Sequence, residues 1–244
     1  MGYLPIFVDM RGRDCLVVGG GASAESRVSA LVEAQAVVTL IAPEITPRLA
    51  VFANDRAIRY CAREYTAGDM RGRFMAWAAT EDETTAQAMA GDARAMGILI
   101  NAADRPALCD FITPAIVKRG AVQIAIGTGG ASPALARRLR ERLERIIGTE
   151  YGLLAEILRR VRPWLRDHIE NQGERAQIML SLIDSDLPGV LRRSDWPEVE
   201  KLLQMHLGIG LDELGLSPGS GDSNGSALPT LAAASLRAPT LRQA

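Results

Sequence analysis

The sequence predicts an α/β fold with a parallel sheet, followed by a β-hairpin-plus-helix region and a helical C-terminal domain. Three observations predict this order. Up to Asp104, short β-forming runs alternate with longer runs rich in Ala, Leu and Arg, which implies parallel pairing because a parallel return needs a crossover. Two β-type runs then follow each other closely, around Arg119-Gly120. Beyond Tyr151, apolar residues recur at helical spacing.

The first two strands and their helices are predicted near the N-terminus. CLVVG, residues 15–19, reads as a strand, and a helix should follow over about 23–34. AVVTLIA, residues 36–42, is the second strand. Thr46 and Pro47 then predict the N-cap and the first residue of a second helix, since a hydroxyl caps a helix well and proline is tolerated at its first position.

Three further strands complete the predicted sheet. AIRYC (57–61) is a weaker third strand, FMAWAAT (74–80) is the fourth and GILIN (97–101) is the fifth. The segment between the last two predicts a helix that stops at Gly97, a residue type common at helix ends. The crossovers should be right-handed, as they are in nearly all parallel sheets.

The alternation stops after Asp104. PAIVK (114–118) and AVQIAI (121–126) flank a turn and predict a hairpin. Ser132 and Pro133 predict the start of a helix. That helix has apolar residues at helical spacing: Leu135, Leu139, Leu143 and Ile146.

The remaining chain divides by composition. Several amphipathic helices are predicted up to about Leu214, and a segment rich in Ser, Gly, Pro and Ala should form a flexible tail. The predicted domains are therefore a sheet domain over 1–113, a hairpin-plus-helix region over 114–147, a helical domain over 148–214 and a tail over 215–244.

Composition excludes several classes of protein. Of the 244 residues, 48% are hydrophobic and 5% aromatic, which predicts an aliphatic, Ala-rich core. The net charge of −1 gives no general reason to expect nucleic acid or a membrane as a partner. No apolar run approaches the roughly 20 residues of a membrane helix, and the N-terminus resembles neither a signal nor a transit peptide.

The cysteines and histidines limit the chemistry further. The three cysteines are widely spaced and form no CxxC pair, so we expect no disulfide framework and a cytoplasmic location. The two histidines, His168 and His206, lie late in the chain. A multi-histidine metal site is thereby excluded from the first 167 residues, and we assign no metal ligands.

The glycines after the first strand predict a dinucleotide site. Gly19, Gly21 and Ala24 match G-x-G-x-x-A between a strand and a helix. The first glycine permits a tight turn, the second lets the backbone approach a pyrophosphate, and the small third residue lets helix and strand pack closely. The helix N-terminus offers free N–H groups to the phosphates. The alternative is a plain strand-to-helix turn.

The end of the second strand bears on which dinucleotide binds. A ribose-binding acid usually stands about 20 residues after the glycines, where this chain has Ala42, and Glu44 follows slightly late. Glu44 could still reach a ribose hydroxyl, and no arginine beside it would accept a 2′-phosphate. We therefore expect NAD rather than NADP. The alternative is that Glu44 is only a solvated residue before the next helix.

Candidate catalytic residues lie where the strands end, since ligands of such sheets bind beyond their carboxyl ends. Three segments meet this condition: the glycine turn, Thr80, and the stretch from Asn101 to Asp104. Asp104 is the best-placed carboxylate for proton transfer. A loop-capping aspartate is the alternative.

A second glycine-containing loop precedes the helix that begins after Ser132. Thr128, Gly129 and Gly130 could form an anion cradle at its start. The helix carries a row of arginines that includes Arg137 and Arg138, and such a row is usually a solvated face. The alternative is that these two arginines face a polyanionic substrate.

Four segments together resemble a known family: YLPIFVDMRGRDCLVVGGG, the AAT of residues 78–80, NAADRPALCDFITPAIVKRG and IGTGGASPALARRLRERLE. In this order and spacing they resemble the precorrin-2 dehydrogenase/sirohydrochlorin ferrochelatase family, the amino-terminal module of siroheme synthase. The resemblance covers residues 1–147 and extends more loosely to about 213. LCDFITPAIVKRG and TGGASPALARRLRE are its most specific parts.

The resemblance implies an NAD-binding Rossmann domain, a dimerisation region near 114–147 and a helical C-terminal part. It implies oxidation of precorrin-2 to sirohydrochlorin with NAD, by a homodimer, and in many members insertion of Fe(II) to give siroheme. The tetrapyrroles would be its substrates. Some relatives oxidise without inserting iron.

Site residues carry over by position in the motifs. The essential aspartate of the family falls on Asp104, and its NAD contacts fall on Ala22, Ser23, Pro43 and Glu44. We add Thr80 to the cofactor contacts, and the Thr128 loop with Arg137 and Arg138 to the substrate contacts. The chain departs from the family at Ser23, often a valine, at Ser26-Arg27, where a basic pair is common, and at Thr128, where some members phosphorylate a serine.

Two alternative functions, from other classes of protein, stay open. A non-catalytic NAD-sensing regulator would bind NAD(H) without converting a tetrapyrrole. An unrelated small-molecule NAD dehydrogenase would share the glycine turn alone, which the LCDFITPAIVKRG segment argues against.

Overall fold

The computed structural model of the chain describes residues 2–216. These form two compact units that divide between Thr113 and Pro114. Nearly all of the tail predicted over 215–244 lies outside the described residues. Within the described part, no helix is both long and apolar enough to cross a membrane.

The first unit contains a five-stranded parallel sheet, which confirms the predicted α/β class. Its strands are β1 (Asp14–Val18), β2 (Val37–Ile41), β3 (Arg59–Cys61), β4 (Met75–Ala78) and β5 (Leu99–Ala102). Their spatial order is β3-β2-β1-β4-β5. The strand order reverses between β1 and β4, and ligands of such sheets bind at that point, beyond the carboxyl ends.

Three helices connect these strands: α1 (Ala22–Glu33), α2 (Pro47–Asn54) and α3 (Glu83–Met96). The predicted start of α2 and the predicted end of α3 are confirmed. The Thr46 hydroxyl accepts a hydrogen bond from the Leu49 N–H, and Gly97 closes α3 with a left-handed φ of 67°. The Asp82 side chain caps the start of α3, and this cap was not predicted from the sequence.

The sheet is buried on both faces, because helices cover each side. Cys15 and Val17 of β1 pack in the cluster that includes Ala24 and Val28 of α1. Leu16 of β1 points to the opposite cluster, which includes four residues of α3. Those four are Ala86, Met89, Ala90 and Ala93, all fully buried, so the core is aliphatic and rich in alanine, as composition predicted.

The second unit begins with the predicted antiparallel hairpin and continues as helices. Its elements are β6 (Ala115–Arg119), β7 (Val122–Ile126), α4 (Pro133–Ile146), α5 (Glu150–His168), α6 (Gln172–Asp184), α7 (Leu187–Arg192) and α8 (Trp196–Leu207). The predicted cap is confirmed, since the Ser132 hydroxyl accepts a hydrogen bond from the Leu135 N–H at 3.1 Å. The Arg119 side chain ties the hairpin to the end of α4 by donating to the carbonyls of Ile147 (2.9 Å) and Glu144 (3.0 Å).

An ion pair between a buried carboxylate and an exposed guanidinium joins α5 to α7. Glu150 is 3% exposed, and Arg192 donates to its carboxylate. Burial raises the pKa of Glu150, but the hydrogen bonds and charge of Arg192, with nearby backbone N–H groups, outweigh it and hold the pKa below its ordinary 4.5. Because the folded pKa is lower, the pair stabilises the unit fully above about pH 5, and this contribution is lost as pH falls through the folded pKa.

We expect Arg192→Gln to lower the free energy of unfolding at neutral pH more than Arg193→Gln does, because it leaves a buried carboxylate without its cation. Arg193→Gln is the control, since Arg193 pairs at 3.1 Å with Asp186 and both side chains are exposed. It should cost less than about 0.5 kcal/mol. Urea unfolding at neutral and acidic pH measures both. An equal loss in the two variants, or a loss from Arg192→Gln that persists in acid, would contradict this assignment.

Candidate active site

The glycine turn after β1 fits closely between two neighbouring loops. Gly19 has a φ of 122°, and a Cβ there would overlap the carbonyl oxygen of Ala79, just beyond β4. A Cβ on Gly20 would overlap the carbonyl oxygen of Glu44, beyond β2. Only glycine fits at these two positions, so the turn is fixed by backbone atoms on both sides.

Gly21 has the opposite surroundings. It precedes α1 with an ordinary φ of −93°, and a Cβ there would meet no atom within 4 Å. No side chain caps α1, and Ala22 and Ser23 in its first turn are exposed. Ala24 is fully buried against the sheet, as its place in the motif predicts. An open backbone at an uncapped helix N-terminus fits the pyrophosphate of a dinucleotide.

The loop after β2 is held against this turn. The Thr46 N–H donates to the Gly20 carbonyl at 3.1 Å, and the Tyr60 hydroxyl donates to the Ala42 carbonyl at 3.1 Å. Ala42 is buried, whereas Pro43 and Glu44 are exposed. The backbone of Glu44 therefore lies beside the glycine turn, with its side chain accessible to a ligand there.

Arg105 holds the segment after β4 in place by hydrogen bonds, a role that was not predicted from the sequence. Its guanidinium donates to the carbonyls of Thr80 (3.0 Å), Glu81 (2.7 Å) and Ala103 (3.2 Å). The Thr80 hydroxyl accepts from the Asp82 N–H at 3.1 Å, so this predicted cofactor contact is half-buried in a fixed loop. Spacing alone gives no signal for these contacts, because two of the three carbonyls, those of Thr80 and Glu81, are 25 and 24 residues earlier in the chain.

Asp104 follows β5 in a left-handed conformation with a φ of 58°. Its side chain is exposed and has no hydrogen bond or ion pair with any residue of the described part. The loop-capping role is filled instead by Asp110, whose carboxylate accepts from the Ile100 N–H at 3.0 Å. Asn101 donates to the Phe111 carbonyl at 2.9 Å, and Ala102 donates to the Cys109 sulfur at 3.2 Å. The loop is thus fixed while Asp104 stays free.

Arg27 is near enough to Asp104 for their charges to interact. It is half-buried on α1, on the same side of the helix as Ala24 and Val28. Burial lowers the pKa of its guanidinium, and the charge of Asp104 acts in the opposite direction. The sequence carries a signal for this partial burial, because Arg27 follows Ala24 of the glycine motif by three residues, and positions three apart are neighbours on a helix surface.

The Thr128 loop belongs to the second unit and closes on itself. The Thr128 hydroxyl donates to the Ser132 carbonyl at 3.1 Å and accepts from the Ser132 N–H at 3.3 Å. Gly129 and Gly130 have φ values of 61° and 85°. Helix α4 has a side-chain cap at Ser132, whereas α1 has none. The loop before α4 therefore offers fewer free backbone N–H groups to an anion than the glycine turn before α1 does.

Arg137 and Arg138 lie on the exposed face of α4. Their side chains are 77% and 80% exposed, and both are near the Glu141 carboxylate, at 3.9 and 3.2 Å. This is the solvated arrangement that a charge row usually adopts. Among the described residues, no group of three or more His, Cys, Asp or Glu side chains is arranged to hold a metal ion.

Comparisons with known proteins agree with this architecture. Residues 6–115 match the protein family described as NAD(P)-binding, and residues 119–146 match the family described as "Sirohaem biosynthesis protein central". The solved structure titled "SirC, precorrin-2 dehydrogenase" superposes with a TM-score of 0.69 at 23% identity, over 84% of this chain and 98% of that one. This likeness shows the shared fold.

Curated relatives cover most of the chain. The siroheme synthase of Nitrosococcus oceani is 41% identical over 69% of this chain and 36% of its own length. The siroheme synthase of Methylococcus capsulatus is 42% identical over 72% and 37%, and that of Thioalkalivibrio sulfidiphilus is 34% identical over 87% and 43%. The chain therefore spans less than half the length of these relatives.

Proposed function

The chain belongs to the family of sirohaem biosynthesis proteins that share these NAD(P)-binding and central segments, and on that premise we propose that it oxidises precorrin-2 to sirohydrochlorin with NAD⁺. The observation that carries the proposal is the uncapped backbone at Gly21 together with the free carboxylate of Asp104. Both lie at the carboxyl ends of strands in one parallel sheet, with only β4 between β1 and β5.

The dinucleotide supplies a hydride acceptor when it is bound. The backbone of Gly21 and the first turn of α1, with Ala22 and Ser23, hold its pyrophosphate. Glu44 accepts a hydrogen bond from a ribose hydroxyl, and Thr80 borders the same turn. Positioning the substrate against the acceptor supplies much of the rate.

Asp104 is the base in this proposal. Oxidation removes a hydride and a proton from the tetrapyrrole, and the Asp104 carboxylate takes the proton and passes it to solvent. Its side chain is available because other residues hold the loop. Arg27, whose charge interacts with that of Asp104, offers a positive charge to the carboxylates of the substrate. In the second unit, the Thr128 loop, Arg137 and Arg138 stay proposed as contacts for carboxylates of a tetrapyrrole.

Preference for NAD⁺ over NADP⁺ follows from Glu44. Its carboxylate beside the glycine turn should repel a 2′-phosphate, so we expect NADP⁺ to bind about tenfold more weakly than NAD⁺. Glu44→Ala should narrow this ratio to about threefold or less. The control is Asp55→Ala, an exposed acid at the opposite end of α2. Calorimetric titration with both nucleotides measures the ratio, and an unchanged ratio in Glu44→Ala would remove Glu44 from the site.

Fe(II) enters the proposal as the substrate of a second step, its insertion into sirohydrochlorin. Cys109 and Asp110 are occupied by hydrogen bonds within the β5 loop, which leaves Asp104 as the side chain able to accept pyrrole protons. The rate at which sirohydrochlorin takes up Fe(II) or Co(II), with and without protein, tests this step. Equal rates would restrict the function to the dehydrogenase.

A homodimer is proposed from the surface of the hairpin and α4. Four large apolar side chains are exposed there: Ile116 (44%), Leu135 (50%), Leu139 (39%) and Ile146 (56%). Within the described residues the hairpin pairs with no further strand, so its edges are unpaired. A second copy would cover both features. Light scattering of Leu139→Glu against the unsubstituted protein tests this, and an unchanged mass would remove Leu139 from the interface.

The function itself is tested under anaerobic conditions with purified protein and precorrin-2. Sirohydrochlorin should form with NAD⁺ and remain at the uncatalysed level without it. NAD(H) binding without conversion of the tetrapyrrole would favour the NAD-sensing regulator instead.

A further inference from the structure

A cleft of about 560 Å³ lies between α5 and α6, wholly within the second unit. It is lined by side chains from one face of each helix: Arg162, Pro163, Leu165 and Arg166 of α5, and Gln172, Arg175, Ala176 and Met179 of α6. Its volume falls within the range of roughly 300–1,000 Å³ typical of sites for small organic molecules. None of the residues assigned to dinucleotide or tetrapyrrole binding lines it.

The charged side chains that line the cleft are all positive. Three arginines line it and no acidic side chain does. Arg162 is exposed and has no hydrogen bond or ion pair within the described residues. Arg166 has only the exposed Asp167, at 3.4 Å. The guanidinium groups of Arg162 and Arg166 are therefore available to an anion.

Arg175 is held in place by the protein itself. Its Nη1 donates to the carbonyls of Ile169 (2.6 Å) and Glu170 (2.9 Å), in the turn between α5 and α6. These bonds use one nitrogen and leave the other donors of the fork available. A guanidinium that is already ordered loses less conformational entropy when it binds a ligand.

Apart from the arginines and the amide of Gln172, the lining residues are apolar. The buried Leu165 and the half-buried Met179 both line the cleft. Pro163 and Ala176 complete this wall and contribute no side-chain polar atom. An aromatic or aliphatic body would bury the apolar part of this surface.

We propose that this cleft binds a small organic anion, with a carboxylate, sulfonate or phosphate at the arginines and an apolar body against Leu165 and Met179. A bare inorganic anion would leave the apolar wall uncovered, and an uncharged apolar molecule would leave the arginines without a partner. The inference concerns residues outside the proposed oxidation, so it stands or fails separately from that function.

Fluorescence titration with anilinonaphthalene sulfonate, and with its uncharged parent N-phenylnaphthylamine, tests the proposal. The sulfonate should bind saturably at one site per chain that excess NAD⁺ does not displace. The uncharged parent should bind at least about tenfold more weakly, since it lacks the charge-assisted hydrogen bonds. Pyrophosphate should not displace the sulfonate, because charge alone does not cover the apolar wall.

Two variants locate the site. Arg162→Glu should weaken sulfonate binding about five- to tenfold by reversing one charge. Ala176→Trp should abolish binding by filling the cleft while keeping every arginine. Arg142→Gln, at an exposed arginine of α4 outside the cleft, is the control and should bind as the unsubstituted protein does. Full binding by both cleft variants, equal binding of the uncharged parent, or displacement by NAD⁺ or pyrophosphate would overturn the proposal.

Discussion

Gly19→Ala is expected to lower the stability of the first unit by about 3 kcal/mol, because the new methyl group would overlap the Ala79 carbonyl oxygen and force an unfavourable φ. The neighbouring contact is backbone at the end of a central strand, which cannot rotate away as a side chain would. The loss should appear as a lower urea midpoint and, where the variant stays folded, as weakened binding of NAD⁺.

Gly21→Ala is the matched control, two residues along the same turn. Its methyl group would meet no protein atom within 4 Å, so stability should fall by no more than about 1 kcal/mol, the usual effect at an N-cap. The added group would nevertheless occupy the open space that we assign to the pyrophosphate. NAD⁺ binding should weaken about tenfold or more while the unit stays folded.

The two substitutions thus separate the fold from the binding site. If both lose stability equally, the space at Gly21 is not open. If Gly21→Ala binds NAD⁺ as tightly as the unsubstituted protein, the pyrophosphate lies elsewhere and the plain strand-to-helix turn is the better account.

Asp104→Asn is expected to reduce the oxidation rate about 10²- to 10⁴-fold, the usual contribution of a general base. Asparagine is the informative replacement because Asp104 has a φ of 58°, a conformation that asparagine adopts far more readily than alanine. The loop should keep its shape, and NAD⁺ should bind with unchanged affinity. Steady-state rates with precorrin-2, and titration with NAD⁺, measure the two effects.

Asp110→Asn provides the contrast. Asp110 is the carboxylate that accepts the Ile100 N–H, so its substitution should affect stability before chemistry. If Asp104→Asn keeps the oxidation rate of the unsubstituted protein, Asp104 is not the base. The proposed role of Arg27 near Asp104 would then lose its support as well.

The sequence predicted the first unit well because its signals are local. Each strand is a short β-forming run, and each boundary carries its own residue type, as Thr46 and Gly97 show. The glycine turn was recognisable because only glycine tolerates the contacts at Gly19 and Gly20.

The contacts that hold the site together were not predictable in the same way. Arg105 reaches carbonyls after β4, and Asn101 reaches the carbonyl of Phe111, so their roles depend on which loops the sheet brings together. The freedom of Asp104 likewise depends on Asp110 taking the loop-capping bond. The cleft between α5 and α6 is formed by residues that read in sequence as ordinary helix surface.

The most direct measurement is a single turnover of NAD⁺-saturated protein with precorrin-2, in which NADH and sirohydrochlorin are followed together. We predict that both rise with the same rate constant and in equal amounts in the unsubstituted protein, and that neither rises in Asp104→Asn over the same time. Sirohydrochlorin that forms without matching NADH would contradict the account, as would equal traces from the two proteins.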